Sequence, residues 1–136
     1  MRLKGRVALV TGSTSGIGLG IARCLAAEGA DVALNGFGDA DAIEALRRGM
    51  EAEYGVRVTF APADIADAEA CAAMAEETRR RLGSLDILVN NAGIQATHPI
   101  EEFPIERWNQ VLAVDLSGAF YAMRAALPAM RGRGWG

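Results

Sequence analysis

The sequence predicts an α/β domain built on a doubly wound parallel sheet, and three observations carry that prediction. Short apolar runs alternate with amphipathic helical stretches from the N-terminus onward. The fourth run, Asp86–Asn90, holds Ile87, Leu88 and Val89 consecutively, the pattern of a strand covered on both faces. In Thr11–Gly20 an apolar strand passes through a glycine turn straight into a helix. Units that alternate in this way give parallel strands joined by right-handed crossovers.

Each element follows from its residues. Residues 7–11 form the first strand, and the helix over 16–28 ends at Gly29, a left-handed cap. Asp31–Asn35 is the second strand, followed by the turn Gly36-Phe37-Gly38. The run Asp41-Ala42-Ile43-Glu44 has the form of a capping box, which puts Asp41 at the N-cap of a helix with Ile43, Leu46, Met50 and Tyr54 on one face. Gly55 closes that helix, Val56–Phe60 is the third strand with Asp64 at its end, and Asp67 caps a helix running to about Leu82.

Beyond the fourth strand the pattern changes. From Pro104, apolar residues recur at Trp108, Val111, Leu112, Leu116, Phe120, Met123, Leu127 and Met130. Their spacing predicts one long helix or two in series, packed through that stripe and kinked near Asp115 and Gly118. Arg131–Gly136 is a turn signal that should introduce a fifth strand. The expectation is therefore a single domain over residues 1–136, incomplete at its C-terminal end, with the sheet truncated after the fourth strand and its following helix. Asp86–Asn90 would then be an apolar edge prone to pair with other chains.

Composition narrows the function classes. With 136 residues, 51% of them apolar and 23% charged, the chain is long enough for one real core. A net charge of -3 without clustered cations excludes nucleic acid and an acidic membrane surface as partners. Arg79–Arg81, the densest basic run, falls at a helix C-terminal end, where cations interact favourably with the dipole, so it reads as a solvated last turn. Cys24 and Cys71 lie in helical patterns without metal-binding or disulfide spacing, so no metal is expected and a reducing compartment fits. The apolar run behind Met1–Arg6 is too short for a signal peptide, and the expected location is cytoplasmic.

The glycine turn carries the chemistry. Gly12, Gly16 and Gly18 remove the β-carbons that would hold a bound pyrophosphate away, while the helix start aims free N–H groups and its positive dipole end at the same point. Asp64 and Asn90-Asn91-Ala92-Gly93 follow the third and fourth strands, so they would line one crevice with the turn at the carboxyl ends of the strands. Asp64 reads either as an acceptor for an adenine amino group or as a local Asx-turn.

At these residues the sequence resembles the short-chain dehydrogenase/reductase family. Thr11-Gly12-x-x-x-Gly16-Ile17-Gly18 matches the family's cofactor turn, Asp64 its adenine-contacting aspartate, and Asn90-Asn91-Ala92-Gly93 its motif after the fourth strand. The resemblance spans essentially the whole chain and implies a Rossmann-like fold. It places cofactor contacts at Thr11, Gly12, Ser15, Gly16, Ile17, Gly18, Phe37, Asp64, Ile65, Asn90, Ala92 and Gly93. The wording of Thr11–Gly20, Leu34–Gly38 and Asn91–Gln95 is similar to NAD-dependent members that act on D-3-hydroxybutyrate, a small 3-hydroxy acid. That similarity implies a role for Gln95 in holding the substrate carboxylate; its other reading is a solvated loop residue. It further implies a homo-oligomer through the helical region 104–131.

Charge points to NAD as the cofactor. A 2′-phosphate needs Arg or Lys after the second strand, and Asn35–Gly38 offers neither, while Arg47 and Arg48 lie well inside the next helix. Phe37 is placed to pack on the adenosine, and Asp39 and Asp41 have two readings, as acids reaching the ribose or, the favoured one, as turn and cap residues. His98, beside Pro99, reads as an ordinary loop histidine.

The family's proton-transfer group is missing. Its Tyr-x-x-x-Lys pair has no counterpart, because the sole lysine is Lys4, Tyr54 is followed four residues on by Val58, and Tyr121 by Ala125. The resemblance places that pair and its Ser beyond Gly136. Asp115 stands at the position of the family's Asn, where it can accept hydrogen bonds but offers no amide N–H; capping of a helix kink is its other reading. Two further functions remain open: a truncated NAD-binding or interaction module without chemistry, and an NADP-dependent reductase of 3-oxoacyl substrates.

Overall fold

A computed structural model describes residues 1–136. In chain order it comprises β1 (Val7–Val10), α1 (Gly16–Ala27), β2 (Asp31–Asn35), α2 (Ala40–Tyr54), β3 (Val58–Ala61), α3 (Ala68–Leu82) and β4 (Ile87–Val89). A short 3-10 turn (Ile100–Glu102), α4 (Ile105–Leu112), a π-helical segment (Ala113–Ser117) and α5 (Gly118–Arg133) complete it. All strands are parallel in the order β3-β2-β1-β4. The chain steps outward from β1 to β3 and then returns to the other side of β1, which makes the gap between β1 and β4 the point where the winding reverses.

Alternation along β1 sorts the core into two layers. Val7 and Leu9 join Met74, Ala75 and Leu82 of α3 and Ala126 of α5 on one face. Val10 joins Ala22 and Ala26 of α1 and Met50 of α2 on the other. The doubly wound reading holds. Gly55 and Gly83 end α2 and α3 in the left-handed region, at φ 67 and 88, where a side chain would be strained.

Four expectations are corrected. The N-cap of α2 is Asp39, whose carboxylate accepts from the Ala42 N–H at 2.9 Å; Asp41 lies in the first turn, because the chain enters the helix two residues earlier than the capping-box pattern suggests. The third strand begins at Val58 and not Val56, since the Arg57 N–H donates to the Asp31 carboxylate at 2.7 Å. Asp64 accordingly stands three residues past Ala61. β4 is only half-buried, with Leu88 against one core layer and Val89 against the other, because β1 is its single neighbour.

The fourth correction concerns the apolar stripe. Trp108, Leu116, Phe120, Met123 and Leu127 are exposed, and α5 instead buries Gly118, Ala122 and Ala126. These small residues also recur every four positions, so they form a competing face that lets α5 approach the sheet and α3 closely. Gly118 packs on the loop after β3, where a β-carbon would come within 2.8 Å of the Ile65 carbonyl oxygen. Where the sequence suggests a kink near Asp115, the chain forms a π-helical segment with helical backbone on both sides. No helix is long and apolar enough to cross a membrane.

Since Asp39 and not Asp41 satisfies the start of α2, Asp39→Ala should destabilise the chain by about 1 kcal/mol and Asp41→Ala by no more than a few tenths. Urea denaturation of the two variants checks the difference, and equal losses would restore Asp41 as the cap.

Candidate functional site

The glycine turn is fixed from below by polar side chains whose partners are backbone. Buried Thr11 accepts at its Oγ1 from the Asn91 N–H at 3.0 Å and the Ala92 N–H at 2.9 Å. The Asn91 amide donates in return to the carbonyls of Thr11 and Gly12, each at 3.1 Å. The end of β1 is thereby tied to the loop after β4, across the point where the winding reverses.

Glycine is required here by space. A β-carbon on Gly18 would collide with the Gly12 carbonyl and come within 2.5 Å of Asn91 Nδ2. One on Gly12 would lie 2.9 Å from Ala92 Cα, and Gly12 and Gly16 hold φ of 61 and 57, in the left-handed region. The helix that starts here has no side-chain cap: the Ser15 hydroxyl makes no hydrogen bond to it, whereas the Asp39 and Asp67 carboxylates cap α2 and α3. The first bond inside α1 runs from the Leu19 N–H to the Ser15 carbonyl at 3.1 Å, so the preceding amides face outward.

Gly12, Thr14 and Ser15, which lead into that helix start, border a cleft of about 350 Å³ above the ends of β1, β2 and β4. Of the residues expected at a cofactor, Gly12, Ser15, Phe37, Asp64, Ile65, Ala92 and Gly93 line it. Thr11 and Gly18 lie buried beneath the turn, and Gly16 and Ile17 are exposed at the helix start. Asn90 is elsewhere: it borders a second, apolar cleft beside β4 with Met123, Leu127 and Met130. Residues that the motifs did not single out, Thr14, Asn35, Gly36, Asn91, Ile94 and Val114, complete the lining.

The two ends of the cleft differ. At the end of β2, Phe37 is 73% exposed, and Thr14 Oγ1 donates to its carbonyl at 3.4 Å. No cation lines the cleft. Arg47 is engaged by Glu44 and Glu51, both at 2.8 Å, and Arg48 by Glu44 at 2.8 Å. Hydrogen bonds from Arg47 and then Arg48 hold the Glu44 carboxyl at about 2. Beyond β3, Asp64 Oδ1 accepts from the Ala66 N–H at 2.9 Å, so the Asx-turn forms while the residue still faces the cleft.

Opposite lies the loop after β4. Asp115 Oδ1 accepts from the Ile94 N–H at 2.8 Å, a bond from the π-helical segment to that loop. This is the acceptor role open to a carboxylate. Gln95 is exposed, and its carbonyl accepts from Arg107 Nη2 at 3.1 Å. His98 packs edge-on against Phe103, with ring centroids 5.1 Å apart.

Residues 6–136 match the family model for short chain dehydrogenases. The chain belongs to the short-chain dehydrogenase/reductase family. Among named relatives of this family, the D-beta-hydroxybutyrate dehydrogenase of Cupriavidus necator is 51% identical over 134 residues, which are 98% of this chain and 51% of that protein. The protein of the same name from Rhizobium meliloti is 45% identical over 131 residues, or 96% of this chain and 51% of that one. In structure, the chain is similar to a metagenomic short-chain oxidoreductase solved in complex with NADP, with a TM-score of 0.91 and 34% identity over 100% of this chain and 61% of that one. This short-chain dehydrogenase sequence thus spans about half the length of the curated relatives it matches.

Because Gly18 lacks room for a side chain and Gly20 has open space around it, the two glycines of one short-chain dehydrogenase helix should respond oppositely to alanine. Gly18→Ala is expected to destabilise by about 2 kcal/mol or more, and Gly20→Ala to stabilise by about 0.5–1 kcal/mol. Thermal melts of both variants check this, and a neutral Gly18→Ala would show that the turn is not packed as described.

Proposed function

We propose that the chain is the cofactor-holding half of an NAD-dependent oxidoreductase that interconverts 3-hydroxybutyrate, or a similar small 3-hydroxy acid, and its 3-oxo acid. One observation carries the cofactor reading: the helix start at the cleft is the one left uncapped after the first three strands, on a turn that glycines keep open. A diphosphate supplies what such a helix end lacks, acceptors and negative charge. The turn residues Gly12, Ser15 and Gly16 would hold the pyrophosphate. Phe37 would cover the adenosine, and Asp64 and Ile65 would flank the adenine. When bound, the nicotinamide supplies hydride transfer.

NAD over NADP is supported by charge at the end of β2. An additional phosphate there would meet Gly36, Phe37 and Gly38, while Arg47 and Arg48 are already paired with carboxylates. The 3-hydroxy acid reading is supported by the names of the relatives at 51% and 45% identity. Gln95 would contribute its amide to the substrate carboxylate. Asp115 would shape the site through Ile94 and would not relay a proton as an amide donor. The exposed face of Leu116, Phe120, Met123 and Leu127 would be covered in a homo-oligomer.

The absence of a Tyr-x-x-x-Lys pair favours a second reading for these 136 residues alone, an NAD-binding module without chemistry. Both readings require that the chain bind dinucleotide. Isothermal titration of the 136-residue chain should give an NADH affinity at least about tenfold above that for NADPH, since an unpaired phosphate at an uncharged site loses its charge-assisted partners. Equal or tighter binding of NADPH would overturn NAD, and no binding of either would overturn the cofactor reading. Addition of 3-hydroxybutyrate and NAD should produce no NADH above background; steady production would remove the module reading.

A further inference from the structure

Asn35 ends β2 without side-chain exposure, at 1%, yet every polar atom of its side chain is used. Its Oδ1 accepts from the Gly12 N–H at 3.1 Å. Its Nδ2 donates to two carbonyls, Ala61 at 3.0 Å and Ala63 at 3.1 Å. A donor on one side and two acceptors on the other fix the orientation of the amide. The backbone of the same residue continues the stitch. Its N–H donates to Ser13 Oγ at 3.0 Å, and its carbonyl accepts from the Ser13 N–H at 2.6 Å.

The partners lie on both sides of the cleft. Gly12 has left the sheet, at φ 61, so its N–H has lost the ladder partner that β1 residues have. Ala61 ends β3, and Ala63 directly precedes Asp64 and Ile65. A single buried amide therefore sets the separation between the glycine turn and the loop after β3. No other side chain does this. Aspartate lacks the two donors, serine and threonine cannot reach three partners, and glutamine adds a methylene where there is no exposed space.

We propose that Asn35 is a positioning residue for the dinucleotide, holding the pyrophosphate turn and the Asp64–Ile65 adenine loop at the spacing that one bound molecule must bridge. The proposal rests on the dinucleotide reading above. It assigns Asn35 no contact with the ligand; the residue acts through Gly12 and Ala63.

The test is N35D, which keeps the volume and the acceptor and removes both donors. With folding checked by circular dichroism, the 136-residue variant should bind NADH at least about tenfold more weakly than the parent at pH 7.5, because a carboxylate then faces two buried carbonyls. At pH 5 the carboxyl introduced by N35D regains one donor as it protonates, and part of the loss should be recovered. The parent carries Asp64, the one charged residue lining the cleft, in both titrations, and so corrects for it. A merely structural residue would lower the melting temperature without this pH-dependent return of affinity. An N35D affinity within twofold of the parent overturns the proposal while leaving the dinucleotide reading intact, whereas a parent that binds no NADH overturns both. Hydrogen exchange on the parent decides the matter even where N35D fails to fold. The Gly12 amide should be protected relative to the outward-facing amides of Gly16 and Ile17, and equal exchange at all of these positions would show that the Asn35 bond is not held.

Discussion

The contact on which the molecule depends is the one between Gly18 and the Gly12 carbonyl, where nothing separates helix backbone from turn backbone. That approach sets where α1 begins, and with it which amides are left outside the helix. It survives only because the Gly12 carbonyl is itself held by Asn91, whose amide also binds the Thr11 carbonyl. Each such part-buried hydrogen bond contributes about 1 kcal/mol net, but leaving either partner unsatisfied costs more. The turn is therefore over-determined: Asn91 and Thr11 secure it towards β4, and Asn35 towards β2 and β3. A site meant for a charged ligand has to be rigid before the ligand arrives, since an uncapped helix end stabilises an anion only over a short distance.

Small residues perform the same service on the other face of the sheet. Gly118, Ala122 and Ala126 bring α5 against α3 and the Ile65 loop, and this closeness places the π-helical segment beside the loop after β4. The wider turn of that segment carries Asp115, whose carboxylate takes the Ile94 N–H. The large apolar residues of α5 are turned outward as a geometric consequence. One helix cannot bury both a small-residue face and a large-residue face against the same neighbour.

Much of this was legible in the sequence, and the rest was hidden for physical reasons. β1, β2 and the starts of α1 and α3 were readable because their signals are local: an apolar run, a glycine turn, an aspartate one residue before a helix. The cap of α2 was ambiguous locally, with Asp39 and Asp41 both eligible, and the entry path of the chain decided between them. Asn91 belongs to a recognisable motif, whereas in the sequence Asn35 shows only the absence of a charge. Its partners are backbone groups 23, 26 and 28 residues away, and backbone groups leave no trace in sequence. The apolar stripe misled because periodicity reports that a helix is amphipathic without reporting which of two eligible faces is packed.

The opposite end of the sheet shows why a ligand belongs at this one. There Asp86, 2% exposed, accepts from the Val7 N–H at 2.8 Å and from Ser84 Oγ at 2.9 Å, and pairs with Arg133 at 3.1 Å. Trp135 in turn covers the Arg6 guanidinium, 3.7 Å from the ring centroid. The Val7 N–H, the Ser84 hydroxyl and the Arg133 guanidinium at the amino ends of β1 and β4 are thus answered by one buried carboxylate within the chain. At the carboxyl ends, glycines at 12, 36 and 93 leave the backbone bare and α1 leaves its first amides without acceptors. Parallel strands put all helix starts that follow them at one end of the sheet, so unsatisfied donors and positive dipole ends accumulate there. The protein closes one end with buried charge and leaves the other open. That asymmetry, more than any single motif, is the physical ground for proposing an anionic ligand at the turn at Gly12.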